Sequence, residues 1–294
     1  MSTLHHDADL FLDDLLALRP RRPRPSARDG ENHQDEEDTA WTAEQEQAFR
    51  EWWKKIGGFE GSFDQWQANA ANRADRGGET NWGITWTTYQ NIRRNGTRDQ
   101  FRAMTLEDAM GIARVLYRLY KVDQIRNPGV GLLFADWQWG GVSTTAVNRA
   151  LARVGQPQVA RFTATGPDQA TIDALNAADP QQMIAALDAE RLQAIQDDIA
   201  RNPAQAVFEK GWRRRVVIRW VQAKMITGHT AYAARWLNGQ SKEEINALMG
   251  HLTREEIAAL HDAAVAGPGV GPESQFARLT KARRDAWVAR AAAR

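Results

Sequence analysis

From Trp41 onward, apolar and polar positions follow a helical period along most of the chain. Phe49, Trp52, Trp53 and Ile56 recur at i, i+3, i+4 and i+7, which is one face of a helix. Thr42 and Gln45 form a capping box ahead of it, and Gly57 and Gly58 mark its end or a distortion within it. Thr105 with Asp108 opens another helix, whose stripe is Ala109, Ile112, Ala113, Leu116 and Leu119. Asn127, Pro128 and Gly129 break the chain. Leu132 to Val154 then reads as a strongly apolar, largely buried helix, with Gly140 and Gly141 as a candidate interruption. Gly166 and Pro167 precede a short helix from Asp168 to Asn176. A longer one runs from Asp179 and Pro180 to about Ala200, and a third follows Pro203 through Phe208, Trp212, Val216 and Trp220 to about Ile226.

Beyond residue 228 the chain turns Ala-rich and charged. Ser241 with Glu244 and Thr253 with Glu256 are two more capping boxes, and a basic helix begins near Ser274 after the break at Gly267, Pro268 and Gly269. Residues 59–85 are the least helical part of the body. Gly77, Gly78 and the run Thr80 to Thr85 suggest a turn with short extended segments. The pattern predicts a mainly α, α+β architecture, a helical bundle whose small irregular or β-hairpin lobe over 60–88 lines a cleft. Three regions are expected: a disordered leader over 1–40, a main domain over 41–226 and a helical extension over 227–294.

Charge sharpens the first boundary. The formal net charge is +1, yet residues 1–40 hold ten acids against five arginines. The body is therefore moderately basic, which suits an anionic polymer such as cell wall or nucleic acid without selecting either. Residues 19–26 are rich in Pro and cannot form a helix. A short amphipathic helix over 8–18 is the one ordered element the leader suggests, a possible docking segment. No cysteine is present, so disulfides and Cys-based metal sites are excluded. His5, His6, His229, His251 and His261 show no metal-ligand grouping. No metal or cofactor is expected, although the acidic loops leave a calcium site open. The start of the chain lacks a basic n-region followed by an apolar run, and no stretch reaches transmembrane length. Synthesis in the cytoplasm without a signal peptide is the expectation.

Candidate chemistry concentrates in the irregular segment. Glycoside hydrolysis commonly needs a proton-donating carboxyl group and a second group that holds water or attacks the sugar. Glu60 sits between Phe59 and Gly61, where an apolar setting would keep a donor protonated. Asp75 lies in a polar turn near glycines, where a carboxylate stays ionised, and Thr80 offers a hydroxyl to position water. Trp82, Trp86 and Tyr89 are candidates to stack on sugar rings, with ordinary packing as the alternative. Asp136, inside the apolar helix, reads as a buried structural acid. Arg213, Arg214 and Arg215 form a basic run, but no nucleic-acid motif accompanies it.

The run from Asn72 to Thr85, with Asp75, Gly77, Gly78, Thr80, Gly83, Ile84 and Thr85, resembles glycoside hydrolase family 108, the phage-type N-acetylmuramidases of the lysozyme-like superfamily. Leu132 to Trp137 resembles the opening of that family's central helix. Thr165 to Thr171 and Gly211 to Val216 resemble its predicted peptidoglycan domain, over about 140–222. The resemblance implies a peptidoglycan hydrolase acting on glycan strands between N-acetylmuramic acid and N-acetylglucosamine, with Glu60 as general acid and Asp75 and Thr80 as helpers. Two registers compete for the family's Glu-Gly-Gly-aromatic motif. Glu60, Gly61, Ser62 and Phe63 keep the acid; Ile56, Gly57, Gly58 and Phe59 keep both glycines but put Ile where the acid belongs. The carboxyl favours Glu60. The Ile56 register would imply a non-catalytic peptidoglycan-binding or phage structural protein, or an enzyme using another acid. A chitin- or chitosan-cleaving hydrolase is a third reading. Delivery to the wall implies either a holin, as for a phage endolysin, or a secretion system with an immunity protein, as for an antibacterial effector of the type VI kind. The leader and the C-terminal extension tilt the expectation toward the effector.

Overall fold

Helix α1 (Ala43–Ile56) opens on the complete capping box of Thr42 and Gln45 and buries the expected face of Phe49, Trp52, Trp53 and Ile56. Burial of side chains this size stabilises by about 2 kcal/mol each. The computed structural model describes residues 41–57, 61–69, 72, 78–141, 143–163, 166–268 and 270–292. The leader, its suggested helix over 8–18, Glu60 and Asp75 lie outside the described residues. Among the described residues there are fourteen α-helices and two two-stranded antiparallel sheets. This is the mainly α, lysozyme-like architecture read from the sequence.

A small lobe follows α1. It contains α2 (Phe63–Ala68), the hairpin β1 (Thr80–Asn81) with β2 (Ile84–Thr85), α3 (Trp86–Ile92) and α4 (Arg98–Arg102). The three short helices were not legible as periodic stripes, being five to seven residues long. Their caps were present all the same: Ser62, Thr85 and Thr97 each accept the N3 amide. Helix α5 (Leu106–Leu119) then starts on the box of Thr105 and Asp108, as expected.

Helix α6 (Pro128–Trp139) is the centre of the molecule. Every residue from Gly129 to Trp139 is buried, with no polar face. Such a helix must lie between two cores. One core joins Leu132, Ala135 and Trp139 to α1, the hairpin, α3 and α5. The other joins Val130, Leu133, Phe134 and Trp137 to α7 (Thr144–Arg153), α8 (Gln169–Ala177) and α9 (Pro180–Arg201). The apolar stretch over 132–154 is interrupted at the candidate break: the chain turns at Gly140 and Gly141 and restarts on the Ser143 cap, giving two helices. Between α7 and α8, β3 (Phe162–Thr163) pairs with β4 (Gly166–Pro167). Gly166 has φ +87°, and a Cβ there would sit 1.7 Å from the Leu119 carbonyl oxygen, so only glycine fits.

After a 3₁₀ segment over Pro203–Phe208, α10 (Glu209–Ile226) packs on α6 and α9. Its far side carries Ile218 and Val221 into a separate core. That core is completed by α11 (Thr230–Asn238), α12 (Lys242–Met249), α13 (Arg254–Ala266) and α14 (Gln275–Ala292).

The one charge on α6 is Asp136, which is 0% exposed. Three arginines surround it. Arg191 of α9 pairs with Oδ2, while Arg215 and Arg219 of α10 donate to Oδ1 at 3.0 and 2.8 Å. Burial would raise its pKa, but the charges of Arg191, Arg215 and Arg219 hold the carboxyl far below the ordinary carboxylate range. The sequence reading of Asp136 as a buried structural acid agrees with this geometry. Arg213 and Arg214 turn instead to Glu209 and Glu244, so the three consecutive arginines serve three different carboxylates. Replacing Asp136 by Asn should remove the counter-charge that Arg191, Arg215 and Arg219 share. A loss of about 3–5 kcal/mol is expected in urea or thermal unfolding, the size typical of a broken buried pair.

Candidate active site

The hairpin is the organising element of the small lobe. Thr80 pairs with Thr85 and Asn81 with Ile84 across a two-residue turn. Both turn residues, Trp82 and Gly83, have positive φ, at 51° and 75°. That is the backbone a tight hairpin with right-handed strand twist requires. Glycine adopts it freely, whereas a tryptophan does so at a cost of about 1–3 kcal/mol. The indole is held in return, because its Nε1 donates to the Met104 carbonyl at 3.0 Å. Ile84 is buried in the lobe's core, and Thr85 caps α3 by accepting the Thr88 amide at 3.1 Å. The Thr-x-x-Gly-Ile-Thr run is therefore one hairpin and one cap.

Asn81 is the residue that sequence reasoning missed. It is 1% exposed. Its Oδ1 accepts the Phe63 amide at 2.8 Å, and its Nδ2 donates to the carbonyls of Phe101, Arg102 and Met104 at 2.8, 3.2 and 3.3 Å. The Trp82 amide donates to the Gly61 carbonyl at 2.8 Å. These bonds fix both Gly61, which follows Glu60 in the chain, and Phe63 against the hairpin that carries Thr80. The Thr80 side chain is nearly buried, and its hydroxyl donates to the Gly78 carbonyl at 3.3 Å. The oxygen's lone pairs remain as acceptors.

Glu79 lies beside these residues and was also passed over. Its carboxylate pairs with Arg98 and, at 2.5 Å, with Arg102. Burial raises its pKa, but the Arg102 hydrogen bond and the Arg98 and Arg102 charges outweigh this and hold it below the usual glutamate value. It stays ionised, so it anchors the hairpin to α4 and is no proton donor near neutral pH.

The three aromatic candidates are packed to different degrees. Trp86 stacks on Tyr89 at 5.9 Å between ring centroids, Arg98 covers Trp86 at 4.9 Å, and both rings meet Phe101 edge-on. Trp82 and Trp86 keep partial exposure, while Tyr89 is buried. Tyr89 also lines an open groove of about 790 Å³ along α3, α4 and α5, with Ile92 and Met104 as apolar walls and Arg93, Arg94 and Asp108 as charged ones. A Cβ on Gly96 would meet the Tyr89 ring at 2.3 Å, so glycine there seats the ring.

Residues 53–141 match the glycosyl hydrolase 108 family. The matched stretch begins in the last turn of α1, spans the whole small lobe and α5, and ends just past α6. It supports a glycoside hydrolase of the peptidoglycan type. It stops before the two later motifs, at 165–171 and 211–216. Among solved structures, the structure of Brucella abortus SagA is similar over 62% of this chain and 97% of that one, at 21% identity and a TM-score of 0.49. No curated protein matches. Among the described residues no cluster of His, Asp or Glu is arranged to hold a metal ion, and no helix is long and apolar enough to cross a membrane.

Among the described carboxyls, Asp188 on α9 is the one raised to about 7. Burial causes this and outweighs the Arg191 and Lys224 charges, and Oδ1 has no hydrogen-bond partner among the described residues. A folded pKa above the unfolded one means the folded state binds more protons between the two values. Asp188 therefore contributes stability that is fully present below about pH 4 and is lost as pH rises through about 7. Asp188→Asn should remove that slope. Urea unfolding at pH 4 and pH 8 should show the variant gaining on the native protein by roughly 2–4 kcal/mol across the window. Equal slopes in the two proteins would rule this out. Gly96→Ala should displace the Tyr89 ring and lower stability by about 1–3 kcal/mol.

Proposed function

We propose that this protein is a muramidase that cleaves peptidoglycan glycan strands between N-acetylmuramic acid and N-acetylglucosamine. Glu60 is the general acid that protonates the glycosidic oxygen. Asp75 and Thr80 hold the attacking water on the opposite face of the sugar, which gives inversion at the anomeric carbon. One observation carries the reading: the Trp82 amide bonds to the Gly61 carbonyl, so the residue after Glu60 is tied to the hairpin that carries Thr80. The family match over this stretch supports the same chemistry. Of the two registers, only that of Glu60 supplies a carboxyl, whereas Ile56 is buried at 0% exposure and cannot donate a proton. Trp82 and Trp86, partly exposed beside the hairpin, and Tyr89 at the groove supply aromatic surface for sugar rings.

We place the enzyme's work in the periplasm or cell wall, after delivery by a secretion system or through a holin. The helical unit after residue 227 is an addition beyond the cleavage site and inclines the reading toward a secreted antibacterial effector, with an immunity protein as partner. Periplasmic but not cytoplasmic production should then arrest growth. For the chemistry, Glu60→Gln is the decisive variant, being nearly isosteric and lacking the donor proton. Reducing-end release from purified sacculi should fall at least about 100-fold, as expected for loss of a general acid. Lysis at the native rate would remove Glu60 from the mechanism. Asp75→Asn and Thr80→Ala should give smaller losses.

A further inference from the structure

Two arginines suffice for Asp136. Arg191 serves Oδ2 and Arg215 serves Oδ1 by two N–H groups, at 3.0 and 3.1 Å. A third guanidinium, Arg219, is nevertheless buried at 0% exposure. Burying another cation beside two others is costly, so its contacts must offset that cost. Its three donor groups reach three places. Nε bonds Asp136 Oδ1 at 2.8 Å, Nη1 bonds Gln222 Oε1 at 2.7 Å, and Nη2 bonds the Lys55 carbonyl at 2.7 Å.

The last contact matters most. Lys55 is in the final turn of α1, where carbonyls have no partner within the helix. A cation there also meets the negative end of the helix dipole. The side chain of the same residue is held as well, since Lys55 Nζ bonds Glu256 Oε1 of α13 at 2.7 Å. Glu256 in turn accepts Gln222 Nε2 at 3.1 Å. The end of α1 is thus gripped twice, through its backbone from α6 and α10 and through a side chain from α13. The Gly57 cap follows, and Glu60 comes three residues later.

We infer that Arg219 is a positioning residue: it fixes the final turn of α1 to the buried Asp136 and so sets where the chain delivers the acid at Glu60. The inference rests on the reading of Glu60 as the acid. Gly61 is held from the other side by the hairpin, so the acid-bearing segment has a fixed attachment at each end.

Arg219→Met and Arg191→Met form a matched pair. Each removes one buried cation from the same carboxylate and leaves two, but only Arg219 touches α1. Both full-length variants should show similar losses of melting temperature. Rates of reducing-end release across sacculus concentrations should show kcat about tenfold lower for Arg219→Met with apparent KM within about twofold, the pattern of a misplaced catalytic group. Arg191→Met should keep kcat within about twofold of the native value. Equal kcat for the two variants, with Glu60→Gln inactive, overturns the positioning role alone. An active Glu60→Gln overturns the acid assignment on which it rests. Arg219→Lys covers the case in which Arg219→Met does not fold. It keeps the buried cation, but one ammonium cannot span Asp136, Gln222 and the Lys55 carbonyl together. Its kcat should also fall at unchanged KM, and a native kcat there overturns the proposal.

Discussion

One carboxylate decides how the halves of this protein meet. Asp136 sits on a helix buried on every side, where an unpaired charge would be untenable. Its compensation comes from residues 55, 79 and 83 positions further along the chain, on α9 and α10. Those two helices cannot pack elsewhere without stranding the charge. A hydrophobic interface of Leu and Ile tolerates sliding, but a fork of guanidiniums around two oxygens does not. The ion cluster thereby sets the register in which α9 and α10 lie on α6. The apolar cores on both sides of α6 then supply most of the stabilisation.

The small lobe is organised by a different device. It has little helix length to bury, and its short helices would not form alone. Directed hydrogen bonds replace area: Asn81 and the Trp82 indole and amide join Gly61, Phe63 and the end of α4 into one unit. A lobe held this way keeps its shape while leaving aromatic edges and a groove open to a polymer. Glu79 between Arg98 and Arg102 does similar work at the surface, where solvent screening makes each pair weaker.

What could be read from the sequence follows from how local the cause is. The α1 stripe and the boxes at Thr42 and Thr105 are settled within a few residues, and they were legible. The hairpin at Thr80 to Thr85 was legible as extended segments around glycines, though a Trp at positive φ follows no local preference. The split of 132–154 into two helices was visible only as a pair of glycines, because both halves are apolar and periodicity cannot show a turn between buried helices. Asn81 and Arg219 were invisible for a stronger reason. The side-chain partners of Asn81 lie 18 to 23 residues away, and Asp136 and Lys55 lie 83 and 164 residues from Arg219, so nothing in the immediate neighbours marks these contacts. Arg215 stood in a run of arginines that suggested a surface patch, yet its neighbours on a helix point to other partners. Glu60 and Asp75 were nominated by residue type and family likeness, and the described residues fix only the chain beside them.

The grip on α1 gives the C-terminal unit a meaning that composition alone could not. Glu256 lies in the first turn of α13, where it completes the Thr253 box, and the same carboxylate takes Lys55 and Gln222. Its local role as a cap would be served by any solvated glutamate. Being 11% exposed and shared with α1, it instead joins the last helices to the final turn of α1. Ile218 and Val221 do the same with apolar area, since both belong to α10 yet sit in the C-terminal core. The helices after residue 227 are therefore joined to the final turn of α1, which on the proposed reading precedes the acid. Any force or partner acting on α11 to α14 has a short physical route to α1, directly through the Lys55–Glu256 ion pair and indirectly through Gln222 and Arg219 of α10.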